Sequence, residues 1–149
     1  VSAVLEVKRK RDRANWKLRH ALVEPLDLCE GVTWPAIVSK SLGSVPDWMR
    51  AEIGVDLVPV LVNRYHREYY EDRSGKLRIT IDYDQDVYDQ RLSARPNLVS
   101  RAPRRYSLVV EVKGPLHEWE RIKEVTNELP LRVTRNSKYA LAYESIGSI

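Results

Sequence analysis

The chain has 149 residues, 43% of them hydrophobic and 31% charged, which is typical of a globular protein and excludes a disordered one. No apolar run reaches the length of a membrane span, no signal peptide is visible, and the single cysteine excludes an internal disulfide, so we expect a cytoplasmic protein. Lys and Arg number 25 against 21 Asp and Glu. Basic residues are concentrated between positions 8 and 19, which favours an anionic partner.

The first segment predicts a β-hairpin. Residues 3–10 alternate between apolar and charged side chains, residues 11–15 are a polar turn, and residues 16–22 return as a second strand. Glu6, Lys8 and Lys10 share one face, with neighbours about 6.5 to 7 Å apart. Two ammonium groups at that distance repel each other unless an anion lies between them. Taken alone, however, this segment favours a salt-bridged surface strand.

Two short helices are predicted next. Residues 31–44 place Thr33 as a candidate N-cap, Pro35 in the first turn and Gly43 near the end, and residues 46–54 predict a further helical turn or two. Cys29, which lies before them, has no obvious catalytic partner, so we expect it in the core.

The remaining elements favour an antiparallel sheet with one long helix. Residues 57–72 and 77–84 predict two strands joined by a turn, and residues 104–114 a third. Residues 87–101 are ambiguous, and residues 115–130 predict a helix that ends at a proline. The last segment, 131–144, is strand-like, although a helix beginning near residue 136 is the alternative.

The strands share one property: each carries Lys or Arg at a fixed parity opposite an apolar face. Such a sheet is either a solvated surface or the wall of a barrel with a polar lumen and external helices. Recurrence on several strands favours the barrel. We therefore expect an α+β fold with an antiparallel β-barrel or tunnel and helices packed outside.

Candidate phosphate and metal ligands lie on these strands. Glu111 is an oxygen ligand of the kind that Mg²⁺ or Mn²⁺ prefers, and it stands two residues before Lys113. Arg78 offers a fork-shaped donor that suits phosphate oxygens. Arg64 and Arg67 have opposite parities, so at most one of them easily faces a common lumen.

Several other chemistries lack their motifs. There is no phosphate-binding G-x-x-x-x-G-K-[ST] loop and no G-x-S-x-G, and the three histidines match no metal-ligand spacing. Tyr65, Tyr69 and Tyr70 could stack on a base, but packing of the strand explains them as well.

Together the segments resemble the VTC domain, the polyphosphate polymerase domain of the vacuolar transporter chaperone type, in its bacterial form. That family belongs to the triphosphate tunnel metalloenzymes, relatives of the CYTH proteins. The resemblance rests on short segments in the order of the family: LEVKRKR, WKLR, NRYHREYYED, LRITID, VVEVKG and LRVTRNSKYALAY.

The resemblance implies a single tunnel domain over residues 1–149, whose first strand lies before Val1, and a set of phosphate contacts. These contacts would be Lys8, Lys10, Lys17, Arg19, Arg67, Arg78, Lys113, Arg135 and Lys138. Four of them are also the candidate catalytic residues: Lys8, Arg19, Arg78 and Lys138. Glu111 would hold Mn²⁺ or Mg²⁺, with Glu6 assisting.

The implied activity is transfer of the γ-phosphate of ATP to a growing polyphosphate chain. A hydrolase of tripolyphosphate or nucleoside triphosphates is the first alternative, and a non-catalytic polyphosphate-binding module is the second. The E-x-K-x-K of the first strand differs from the E-x-E-x-K of the CYTH relatives and leaves fewer carboxylates for metal, which counts against the hydrolase. A single-stranded nucleic-acid binder is disfavoured, because the tyrosines do not interleave with the basic residues at one parity.

Overall fold

The chain folds into two compact units in a computed structural model. The structure describes residues 3–11, 14–29, 31–54, 56–103, 108–131, 133 and 137–147, and only the backbone of residues 10, 11, 14 and 15. The first unit comprises Val1–Val60 and Gln90–Asn97, and the second comprises Leu61–Asp89 and Leu98–Ile149.

The first unit contains the predicted hairpin. Strand β1 (Val4–Arg11) pairs antiparallel with β2 (Ala14–Ala21). The register sets Glu6 opposite Arg19 and Lys8 opposite Lys17. Directly opposed residues of an antiparallel pair point to the same side, so these four charged side chains share one face of the hairpin.

The first unit also contains the two predicted helices, α1 (Trp34–Gly43) and α2 (Asp47–Ile53). Helix α1 begins after Thr33 as predicted, because the proline that follows fits the first turn of a helix. The buried apolar side chains of this unit are Leu22, Ile37, Val45 and Met49. Cys29 is exposed, so its predicted place in the core is wrong.

The second unit is built on a three-stranded antiparallel sheet in the order β3-β4-β5. Its strands are β3 (Leu61–Glu71), β4 (Arg78–Asp89) and β5 (Val109–Lys113). The predicted strands are confirmed, but β3 begins four residues later than the pattern indicates. The predicted third strand begins at residue 104, and its positions 104–107 lie outside the described residues.

A β-bulge interrupts the alternation of β4. The register shifts between Arg64 and His66 of β3, and Asp84 of β4 lies opposite this shift with a φ of 51°. An extra residue in one strand reverses the side to which the following side chains point. Asp86 therefore faces Arg64 on one side of the sheet, whereas Asp82 faces Arg67 on the other.

Helix α3 (Trp119–Glu128) follows a 3₁₀ turn at Leu116–Glu118 and packs beside β5. The residue that joins β5 to this turn is Gly114. A Cβ at Gly114 would lie 2.6 Å from a methyl group of Leu77 and 3.2 Å from one of Ile122. The absence of a side chain at this glycine therefore lets the helix and the β3–β4 hairpin approach each other closely.

Residues 138–144 of the final segment are helical rather than strand-like. Helix α4 (Lys138–Ser145) begins after Ser137, whose side chain accepts a hydrogen bond from the Ala140 backbone N–H at 3.3 Å. The serine cap and the run of Ala and Leu that follows favour a helix over the apparent alternation. The strand-like interpretation of residues 131–144 is wrong for residues 138–144, and the alternative of a helix is confirmed there.

The α+β class is confirmed, with two antiparallel sheets and four α-helices among the described residues. Within those residues the sheets have two and three strands, and no closed barrel is found, so the tunnel stays a prediction. None of the helices in the described part of the chain is long and apolar enough to cross a membrane.

Candidate functional site

One face of the β3-β4-β5 sheet collects polar and charged side chains from all three strands. The register sets Arg78 of β4 opposite Lys113 of β5, and Thr80 opposite Glu111. Strand β3 pairs with the other edge of β4. There Arg67 and Tyr69 lie opposite Asp82 and Thr80, on the same face of the sheet. This surface, called the polar face below, consists of Tyr65, Arg67, Tyr69, Glu71, Arg78, Thr80, Asp82, Glu111 and Lys113.

Asp82 is the centre of the polar face. Its side chain is only 4% exposed, yet it contacts two cations. Arg67 donates from Nε to Oδ1 at 2.5 Å and from Nη2 to Oδ2 at 2.7 Å, and the Lys138 ammonium of α4 lies 2.5 Å from Oδ2. The carboxylate therefore joins β3, β4 and the first turn of α4 at one point.

These contacts favour the charged forms of Asp82 and Arg67. Hydrogen bonds from Arg67, and then from Lys138, lower the pKa of Asp82 in spite of its burial, which opposes the shift. The same hydrogen bond to Asp82 raises the pKa of Arg67. Two cations and one anion leave a net positive charge of one on this cluster.

Two tyrosines of β3, the strand that carries Arg67, contact the Arg67 guanidinium with their rings. Its central carbon lies 5.1 Å from the ring centroid of Tyr65 and 5.7 Å from that of Tyr69. The Lys138 ammonium also lies over the Tyr65 ring, at 5.7 Å. Since the face of an aromatic ring attracts cations, Tyr65 helps to fix both basic side chains.

The other end of the polar face is more open. Arg78 is exposed and has no side-chain partner among the described residues. Glu111 is half-buried, and its Oε2 lies 2.8 Å from the Lys113 ammonium. Thr80, between them, is buried, and its hydroxyl has no hydrogen-bond partner within the described part of the chain.

The charged face of the β1–β2 hairpin is a second basic surface. Glu6 lies 3.0 Å from the Lys8 ammonium and 2.5 Å from Arg19 Nε. Hydrogen bonds from Lys8 and then Arg19 lower the pKa of Glu6 to about 2. Lys17 lies beside them, and no ion-pair partner of its ammonium is found in the residues described.

The predicted phosphate contacts therefore fall into two groups. Arg67, Arg78, Lys113 and Lys138 lie together on or against the polar face of the second unit, and Lys8, Lys17 and Arg19 share one face of the hairpin in the first. The side chain of Lys10 and the whole of Arg135 lie outside the described residues. Their roles stay predictions.

The predicted metal ligands do not form a complete protein cage. No group of three or more His, Cys, Asp or Glu side chains that could hold a metal is found among the residues described. Glu6 and Glu111 are each paired with a cation instead. A single carboxylate does fit a magnesium-type ion that is bound mainly by substrate phosphates and water.

The comparison with protein families settles the family. The VTC domain matches residues 2–146, nearly the whole chain. The chain belongs to the VTC domain family. No curated protein and no solved structure matches it. The family predicted from the short motifs of the sequence is thus confirmed, and it places this VTC domain in a polyphosphate-related context.

The structure of this VTC domain adds three residues to the predicted site: Tyr65, Thr80 and Asp82. All three lie within the motifs NRYHREYYED and LRITID, but none of them was among the predicted phosphate or metal ligands, and Tyr65 was considered only as a base-stacking residue. Asp82 and Thr80 share the parity of Arg78, so the alternation of β4 already places all three side chains on the same face of the sheet. What the alternation does not indicate is that Asp82 is buried beneath two cations.

Proposed function

We propose that this VTC domain binds a nucleoside triphosphate and polyphosphate on its basic surfaces, and transfers the γ-phosphate of ATP to the end of the polyphosphate chain. The observation that carries the proposal is the polar face of the second unit. It presents four of the predicted phosphate contacts together, two of them fixed on a buried aspartate. Membership of the VTC domain family supports a phosphate polymer as the ligand.

The charges on this surface suit a triphosphate. A triphosphate carries about four negative charges, and replacing its water shell requires fixed cations with strong hydrogen-bond donors. The guanidinium of Arg78 has no ion-pair partner in the described residues. The ammonium of Lys17 on the hairpin has none there either. Neither has to break an ion pair with a described residue before it contacts phosphate.

The proposed reaction needs alignment more than acid–base chemistry. An anionic oxygen of the terminal phosphate attacks the γ-phosphorus of ATP, the bond from that phosphorus to the β-γ bridging oxygen breaks, and ADP leaves. Because the attacking oxygen is already deprotonated, no side chain has to remove a proton. Arg78 and Lys138 would orient and neutralise phosphates on the polar face of the second unit, and Lys8 and Arg19 would do the same on the hairpin of the first.

Glu111, assisted by Glu6, is the proposed carboxylate for Mn²⁺ or Mg²⁺. Such an ion, when bound, would neutralise charge on the phosphate oxygens. Glu111 is half-buried on the polar face, and its present partner is the exposed ammonium of Lys113. A lysine that moves to a phosphate would leave this carboxylate available to a cation.

The proposal includes the tunnel that the resemblance implies, with the basic faces lining it and helices outside. A co-crystal structure with tripolyphosphate tests this part directly. The ligand would be surrounded by strands if the tunnel is correct, and would lie on one open sheet if it is not.

A second candidate function is binding of polyphosphate without turnover. It is favoured by one observation, that each proposed metal carboxylate already has a cationic partner. A binding module needs the basic surfaces and no metal.

One experiment separates these functions. The protein is incubated with ATP and Mn²⁺, and the products are resolved on a gel stained for polyphosphate. A ladder supports the polymerase, and release of phosphate without a ladder indicates a hydrolase. Neither product, together with tight binding of polyphosphate, indicates a binding module. Lys138→Met should abolish the ladder, whereas Lys123→Met on the exposed face of α3 is the matched control that should leave it unchanged.

A further inference from the structure

Asp82, the buried carboxylate of the polar face, carries a negative charge within a site proposed to bind an anion. Asp82 lies among cations proposed to bind phosphate, where an anion repels the ligand. Its two oxygens nevertheless take three close contacts from Arg67 and Lys138, and its side chain is 4% exposed. A buried charge of this kind is costly unless the groups around it pair with both oxygens, as they do here.

We infer that Asp82 is a positioning residue, which fixes Arg67 and Lys138 in the geometry that selects a chain of phosphates over other anions. The inference rests on the proposed function, because it assumes that the two cations contact phosphate. The carboxylate accepts two parallel bonds from the guanidinium, which sets the plane of Arg67 as well as its position. It also holds the first residue of α4 against the central strand.

The tyrosines restrict the same two side chains from a second direction. Tyr65 contacts both the Arg67 guanidinium and the Lys138 ammonium, and its attraction for these cations opposes their movement away from Asp82. Pre-organised donors bind a ligand of matching geometry better than flexible ones, since less conformational entropy is lost on binding. Fixed positions of Arg67 and Lys138 thus favour binding of a ligand with regularly spaced phosphates over binding of other anions.

Asp86 provides an internal control for the cost of a buried aspartate. It lies on the same strand, its side chain is also 4% exposed, and it also contacts two basic residues. Arg64 Nη2 lies 2.8 Å and Arg101 Nη1 lies 3.3 Å from its oxygens. Because of the bulge at Asp84, this second cluster is on the opposite side of the sheet from the polar face.

The test compares Asp82→Asn with Asp86→Asn by calorimetric binding of two anions, tripolyphosphate and citrate, in metal-free buffer. The readout is the dissociation constant for citrate divided by that for tripolyphosphate. Asparagine keeps the size of the side chain but removes the charge, and it turns an N–H₂ group towards one of the two cations. The polar face then attracts any anion more strongly while its geometry is lost.

We expect Asp82→Asn to tighten citrate binding and to lower the selectivity ratio at least fivefold. Asp86→Asn should leave the ratio within twofold, although it lowers the melting temperature. A purely structural role would weaken both anions in proportion and leave the ratio unchanged for Asp82→Asn, which would overturn the inference. Should Asp82→Asn not fold, Asp82→Glu keeps the charge but moves the carboxylate by one methylene, and an unchanged ratio in that variant would overturn the inference equally.

The same binding measurements distinguish a failure of the proposed function from a failure of this inference. Wild-type protein that does not bind tripolyphosphate at all would remove the proposed function and this inference with it. Wild-type protein that binds it selectively, together with variants of unchanged ratio, would remove the inference alone.

Discussion

Arg78→Ala is the sharpest test of the polar face as a phosphate site. Arg78 is exposed and has no side-chain partner among the residues described, so its truncation should alter the free energy of unfolding by only about 0.5 kcal/mol or less. A hydrogen bond to a charged group contributes roughly 1.5 to 3 kcal/mol. At about 1.4 kcal/mol for each factor of ten, the dissociation constant for tripolyphosphate should rise roughly 10- to 100-fold.

The assay is isothermal titration calorimetry at fixed ionic strength, with urea unfolding of the same preparations. Arg73→Ala is the matched control, since Arg73 is also an exposed arginine without a side-chain partner in the described residues, but it lies in the β3–β4 turn. Its loss should change the dissociation constant less than threefold. Equal effects of the two variants, or none for Arg78→Ala, would refute a phosphate contact at Arg78.

Three further predictions concern the metal, the hairpin and the packing of α3. Glu111→Gln should abolish Mn²⁺-dependent turnover and leave the circular dichroism spectrum unchanged, with Glu120→Gln as the control; normal turnover would exclude Glu111 as the ligand. The pKa of Glu6 is lowered from 4.5 to about 2, so its stabilising contribution should be complete above pH 4.5 and disappear as the pH falls towards 2; a wild-type stability profile in Glu6→Gln would contradict this. Gly114→Ala should destabilise the protein by about 1 to 3 kcal/mol, because its Cβ would lie 2.6 Å from a leucine methyl, whereas Gly43→Ala meets no atom within 4 Å and should be tolerated.

The local elements of this protein were predictable because each depends on neighbouring residues. The alternation in residues 3–10 gave β1, Thr33 with the following proline gave the start of α1, and the apolar stripe of residues 115–130 gave α3. The order of short basic motifs indicated the VTC domain family, and the family match confirmed it.

Where the local signals were ambiguous, the sequence was less informative. The last segment, residues 131–144, alternates like a strand, yet its residues 138–144 lie in a helix capped by Ser137. The alternation of β4 also appeared continuous; aspartate tolerates a positive φ better than most residues, but the alternation did not indicate that Asp84 would adopt one. That bulge depends on how β4 pairs with β3, which is a long-range property.

The sequence by itself determined most of the elements, the charged face of the β1–β2 hairpin, and the family. The tertiary structure decided which charges meet: Asp82 with Arg67 across one strand pair and with Lys138 from a distant helix, and Asp86 with arginines on the other side of the sheet. The physical reason is the distance along the chain over which each interaction acts. Periodicity and capping act over a few residues, whereas an ion pair depends on a register and a helix position that only the packed chain fixes.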